Sequence, residues 1–205
     1  MSTVAKGSST AAGILANGQP FGSSLANSGK GEILLGGGEV YIMPVGDLTA
    51  LPDDSEIEVA EYNVGYCTGG FKITYKPKQT SVYNQYNQLV RTFTTQEDFT
   101  AQTGILTWNV DNIASLSNAE IIESNSEKRV VFTGSGDLEV VILRFVYTKP
   151  DGNKIRFTMV GQGGQGFSMD FTDKATSINA EITGIQYFNK FLAEFREEVS
   201  STPAN

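Results

Sequence analysis

Between residues 138 and 162, "LEVVILRFVYT" and "KIRFTMVGQ" bracket "KPDGN". Two runs of β-branched and aromatic residues joined by a Pro-Asp-Gly turn leave the chain little alternative to an antiparallel hairpin. The first run is apolar at odd and even positions alike. It predicts a strand covered on both faces, lying inside a sheet rather than at its border.

Shorter runs repeat the β pattern. "EVYIMPV" (39–45) reads as a strand and "LPDDSEIE" after it as an acidic turn. "GGFKITYKP" (69–77) sets Phe71, Ile73 and Tyr75 against Lys72, Thr74 and Lys76, the period of a half-buried strand. "QTSVYNQYNQLVRTFTTQEDF" (79–99) is rich in Thr, Val, Tyr and Phe without a continuous apolar surface, which predicts a long polar hairpin turning near Asn84–Asn87. "TAQTGILTW" (100–108) returns to the body, with Trp108 expected in the core.

"VDNIASLS" (110–117) predicts a short helix capped by Asp111, with Val110, Ile113, Ala114 and Leu116 inward. "AEIIES" and "KRVVFTG" flank the turn-like "NSE" as a further hairpin. "GFSMDFT" places Phe167, Met169 and Phe171 toward a core, and "SINAEITGIQY" (177–187) completes the strands. Phe188, Phe191, Leu192, Phe195 and Val199 then recur at +3, +4, +7 and +11, which predicts an amphipathic helix. The expected fold is mainly β, a β-sandwich or barrel with long hairpins, one short flanking helix and a C-terminal amphipathic helix. Its expected division is a flexible N-terminal arm (1–31), a β domain (32–187) and a helical extension (188–205).

Residues 1–31 carry Gly, Ser and Ala at seventeen positions and two charges, Lys6 and Lys30. Such a stretch buries too little apolar surface to offset its ordering entropy alone. It reads equally as a mobile leader or as an arm anchored on a neighbouring subunit through Ile14, Leu15 and Phe21.

Several function classes are disfavoured. The formal net charge is −8, against a broad electrostatic grip on nucleic acid. The chain has no histidine, the side chain suited to neutral-pH proton transfer and the commonest metal ligand. Its single cysteine, Cys67, allows no intrachain disulfide and is expected as a packed thiol. No stretch approaches the ~18 apolar residues of a membrane span, and no compact apolar signal opens the chain, so folding in a cytoplasm without membrane insertion is expected.

Gly161, Gly163 and Gly166 in "MVGQGGQGFSMDF" have the G-x-G-x-x-G spacing, with Glu181 twenty residues after the first. A phosphate cradle needs a helix N-terminus directly after the glycines. Period-two alternation follows instead, so the glycines are expected to serve a bulge or a close backbone approach. Asp53, Asp54, Glu56 and Glu58 could hold a hard cation but lack a calcium loop's glycine and spacing; a solvated turn is the expectation. No G-x-S-x-G nucleophile motif is present, and no paired carboxylates fall in an aromatic-rich cleft. The reading is of a protein that is not an enzyme and has no cofactor.

A β-rich subunit with long polar hairpins has strand edges that must be covered, and pairing them with copies of themselves is one way. Several such hairpins could form a composite barrel too wide to fill. The segments 70–103 and 138–162 have the length for it, and a net negative charge would let DNA pass without sticking.

At this point "LPDDSEIEVAEYNVGYCTGGFKITYKP", "TAQTGILTWNVDNIASL" and "RFVYTKPDGNKIRFTMVGQGGQGFSMDF…SINAEITG" resemble the tail tube proteins of long-tailed bacteriophages and phage-tail-like particles, over roughly residues 33–187. The resemblance implies a structural virion protein, assembled in the host cytoplasm into stacked hexameric rings around a channel through which DNA passes. It implies the hairpins 70–103 and 138–162 as channel wall, with Lys72, Thr74, Tyr83, Tyr86, Arg91, Phe93, Lys154 and Arg156 on it. Inter-ring contacts are implied near 46–62, with Asp53, Asp54 and Glu56, and at the N-terminal arm through Phe21. Implied partners are further copies, tail terminator and baseplate or tail-tip proteins, a tape measure protein in the lumen and, in a contractile tail, a sheath. The competing reading is a β-sandwich binding or decoration module, a capsid ornament or carbohydrate-binding domain, which calls for exposed aromatics on a rigid face.

Overall fold

The KPDGN turn joins β6 (Val140–Thr148) to β7 (Lys154–Met169), closed by hydrogen bonds from Lys149 N to Asn153 O at 2.8 Å and from Gly152 N to Lys149 O at 2.9 Å. The computed structural model describes residues 36–199 except 135, 170, 172 and 174, and no side chain at 164 or 165. The predicted N-terminal arm, its anchor Phe21 and its boundary at 31/32 lie outside the described residues.

Around that hairpin the described strands form one antiparallel sheet and one small satellite. The main sheet adds β1 (Glu39–Pro44), β2 (Cys67–Tyr83), β3 (Leu89–Ile105) and β8 (Ile178–Gly184) in the order β1-β6-β7-β8-β3-β2. β4 (Glu120–Glu123) and β5 (Lys128–Val131) pair only with each other. β6, expected as an internal strand, lies between β1 and β7, with Val141, Ile142, Leu143 and Val146 buried on its two faces.

One face of the sheet holds Val40, Ile42, Val141, Leu143, Phe157, Met159, Ala180, Ile182, Ala101 and Ile105, and α2 (Val110–Ser115) adds Ile113. Asn109, not Asp111, caps this helix, accepting a hydrogen bond from Asp111 N at 3.0 Å. Phe71 of β2 stacks on Phe145 of β6 at 4.6 Å, although four strand spacings, about 19 Å in a flat sheet, separate them. The sheet therefore curls around this core as an open barrel. The opposite face packs Tyr41, Ile142, Val146 and Val160 under the 45–62 segment, where Ile57 of α1 (Asp54–Ile57) is fully buried.

The C-terminal amphipathic helix is not formed. Residues 193–197 are a strand, β9 (Ala193–Glu197), antiparallel to β7 from Ile155 to Met159. β8 and β9 share one edge of β7, and between them the chain makes an excursion in which Phe188, Asn189 and Lys190 have φ of 38°, 57° and 71°. "AEFRE" has period two as well as period 3.6. The unpaired β7 edge decides between them, because strand pairing satisfies backbone groups that a helix would leave open.

The glycine motif needs no helix. β7 runs through it unbroken, with a register shift between Gly163 and Phe167 and φ of 77° at Gly166. Gly163 lies against α2's end: a Cβ there would stand 2.3 Å from Leu116 O. Phe167 and Met169 pack on the core as expected, but Phe171 and Trp108 are exposed.

Candidate assembly surface

β3 pairs with β8 only from Thr100 to Ile105, then leaves the sheet with β2 as its sole partner among the described strands. The two form a ribbon that extends about 30 Å past the body, nine residues of β2 at about 3.3 Å each. The tip turns where expected: Asn84 Oδ1 accepts from Tyr86 N at 2.9 Å and Gln88 N at 3.0 Å, and Asn87 takes φ of 58°. A left-handed Asn closes a tight turn at less cost than a β-branched residue.

Sequence alternation sets the ribbon's two sides. Register pairs Lys72 with Gln102, Thr74 with Thr100, Lys76 with Asp98, Thr80 with Phe93 and Val82 with Arg91, all on one side. The expected wall residues Lys72, Thr74, Arg91 and Phe93 thus share a side, and Arg91 lies over the Phe93 ring at 4.7 Å. Tyr83 is on the other side, with Tyr75, and Tyr86 is in the turn. Extra residues in β3 at Val90 and Thr95 shift the register and add twist. Almost every side chain from 75 to 97 is exposed on both sides, including Tyr75, Val82, Tyr83, Tyr86, Leu89, Val90 and Phe93.

Charge on the ribbon departs from the chain's average. Between residues 72 and 102 stand Lys72, Lys76, Lys78 and Arg91 against Glu97 and Asp98, four minus two or +2. Lys78 meets Asp98 at 3.6 Å. The chain's net negative charge is thus not shared by this segment.

Lys154 and Arg156, the other expected wall residues, lie in a cluster on the sheet's second face. Arg156 is 6% exposed and grips Glu58 and Glu198, and Lys154 reaches Glu58 at 3.2 Å. Arg144 is 1% exposed, with Nη1 on Asp54 at 2.8 Å and on Glu58 at 3.0 Å. Arg196 of β9 also bonds Asp54. Burial alone would raise the Asp54 carboxyl pKa, but hydrogen bonds from Arg144 and Arg196 outweigh it and hold it at about 2. Glu58 is lowered in the same way by Arg156 and Lys154 against its burial. Burial pushes the Cys67 thiol up, away from a nucleophile's range.

The acidic segment is therefore no solvated turn. Asp53 caps α1 in a reciprocal box with Glu56, while Asp54 and Glu58 point into the arginines and fasten the 45–62 segment to the sheet. Of the four carboxylates, Asp53 and Glu56 stay exposed. Among the described residues no three His, Cys, Asp or Glu side chains are grouped to hold a metal ion, and no helix is long and apolar enough to cross a membrane.

Sequence reasoning missed a second exposed surface. Tyr66, Trp108 and Phe171 are 83%, 58% and 74% exposed, and the Trp108 and Phe171 rings lie 6.2 Å apart at 56°. Tyr66 and Trp108 sit where β2 begins and β3 ends, joined by the hydrogen bond from Leu106 N to Tyr66 O at 2.7 Å. Trp108 was hidden from sequence by the apolar run before it: alternation ends at Ile105, so position 108 carries no facing signal. No family model matches the chain, and no curated protein is similar to it.

Proposed function

We propose that the chain is a self-assembling structural subunit of the tail-tube kind, whose β2–β3 ribbons line a channel built from several copies. The observation that carries the reading is the ribbon itself. A two-stranded ribbon is marginally stable in water, and this one exposes seven large apolar side chains from Tyr75 to Phe93 along edges that no other described strand pairs. Neighbouring ribbons would satisfy both the edges and the apolar groups, and a wide barrel leaves its middle open. The opposite border of the sheet needs no such partner: Ile42 N donates to Tyr62 O at 2.8 Å and Val64 N to Val40 O at 3.0 Å, which blunts β1 within the chain.

Rings of such subunits, stacked, would give the DNA passage that the family resemblance implies. The ribbon's modest positive charge is compatible with passage because exposed charges are screened beyond ~8 Å at physiological salt. Negative-stain electron microscopy and analytical ultracentrifugation of the purified protein over a concentration series test the reading. Hollow tubes of uniform width are the expected result; a protein that sediments as a monomer at every concentration sinks it.

The binding-module reading draws on the exposed Tyr66, Trp108 and Phe171. It leaves the ribbon without a role.

A further inference from the structure

Resting on the self-assembly reading, we infer that successive copies join head to tail, the ribbon tip of one seating on the aromatic patch of the next. The tip residues are Tyr83, Tyr86 and Leu89; the patch is Tyr66, Trp108 and Phe171. Both surfaces belong to the same pair of strands, at opposite ends. Tyr66 immediately precedes β2 and Trp108 follows β3 by three residues, while Tyr83 ends β2. Seventeen residues at about 3.3 Å put the two ends about 55 Å apart, so a chain's own tip cannot reach its own patch.

Charge selects the same pairing. Residues 79–90 carry no charged side chain, and neither do 63–71 or 104–110 around Tyr66 and Trp108, in a chain with 38 Lys, Arg, Asp and Glu; of the patch residues only Phe171 has charges close in sequence, Asp170 and Asp173. Seating the tip on Tyr66 and Trp108 therefore meets no charged side chain from their own segments, which keeps the desolvation cost low. By contrast Ile121 and Ile122, also exposed, lie between Glu120 and Glu123. The Trp108 and Phe171 rings, exposed and tilted at 56°, present both edge and face to a third aromatic ring. A contact between unlike patches does not close by two-fold symmetry; it gives a ring where its rotation closes and an open line where it does not, and a contact between opposite ends of one long strand pair favours the line. A strand pair of about 55 Å, tilted ~35–45° as in wide barrels, advances about 40–45 Å per copy along that line.

This places axial contact away from Asp53, Asp54 and Glu56. Asp54 is held by Arg144 and Arg196, and Asp53 and Glu56 close their own helix cap.

Trp108 is the single tryptophan, so its emission reports directly on the patch. The experiment compares intrinsic fluorescence and acrylamide quenching of dilute and assembled protein, with electron microscopy of the same samples, for wild type, Tyr86→Phe, Tyr86→Asp and Leu89→Asp. Circular dichroism confirms that each monomer is folded. Wild type and Tyr86→Phe are expected to form tubes of 40–45 Å axial repeat, with blue-shifted emission and quenching reduced several-fold. The two aspartate variants are expected to stop at single rings with Trp108 as quenchable as in the monomer. Tubes whose Trp108 stays fully quenchable, or aspartate variants that form normal tubes, overturn the inference and leave the self-assembly reading standing. A wild type that never associates, with Trp108 responding only to added polysaccharide, overturns both in favour of a sugar-stacking module.

Discussion

Phe71 and Phe145 lie ring on ring at 4.6 Å with 7° between their planes, closing the gap between β2 and β6 across the mouth of the curled sheet. Phe157 lies 6.2 Å from Phe71, so the stack is anchored in the core from below. It is the contact that turns a six-strand path into a barrel-like body.

Removing either ring should loosen that closure. Both residues are half-buried, so Phe71→Ala or Phe145→Ala should each cost about 2–3 kcal/mol, less than the ~3–5 of a fully buried phenylalanine. The double variant should cost less than the sum, with a coupling of about 0.5–1.5 kcal/mol from the lost stack. Urea unfolding of the four proteins measures this; strict additivity means that the rings do not hold the sheet closed.

The ribbon should be dispensable for folding. Replacing residues 79–94 by a two-residue turn removes exposed side chains and leaves both core clusters intact. The variant's melting temperature should stay within a few degrees of wild type while association is lost. Tubes formed by the shortened protein would show that the ribbon is not the wall.

Acid should act through the arginine cluster. Asp54 sits at about 2 against an ordinary 3.8, and Glu58 is lowered from its ordinary 4.5. A lowered carboxylate stabilises the fold above its unfolded-state value, and that stability disappears as pH falls through the folded value. The melting temperature should thus be nearly level from pH 8 to 6 and drop between about pH 4.5 and 2. In Asp54→Asn the acid-dependent part of the drop should shrink; an unchanged profile would assign the effect to other carboxylates.

The two structural roles of the glycine motif should separate on mutation. Gly163→Ala drives a methyl into Leu116 O and should destabilise by about 1–3 kcal/mol, with α2 displaced. Gly166→Ala has open space around it but a φ of 77°, and should cost about 1 kcal/mol through the backbone alone. Thermal unfolding with near-ultraviolet circular dichroism distinguishes them, and equal small losses would contradict the close approach to Leu116.

Much of this architecture is written in alternation. The strands around KPDGN, the turn at Asn84–Asn87 and the hairpin around "NSE" follow from period two and turn chemistry, both local signals. Residues 188–199 read as a helix because their period is ambiguous, and the edge of β7 that settles it is a tertiary fact. The inward aim of Asp54 and Glu58 was equally hidden: their partners Arg144 and Arg156 lie some ninety residues away, and a run of acids reads as solvated until those partners are placed. Trp108 and Phe171 failed for a third reason. Each lies just past a strand end, where periodicity no longer says which way a side chain points.

Among the described strands, β8 alone joins the β6–β7 hairpin to the β2–β3 hairpin. On the ribosome, those two hairpins are therefore separate pieces until residue 184 has emerged. Each can fold locally, but the barrel closes late, through contacts distant in sequence, which are the slow ones. A nascent chain consequently acquires its finished shape, and with it any capacity to join other copies, only after β8 has emerged.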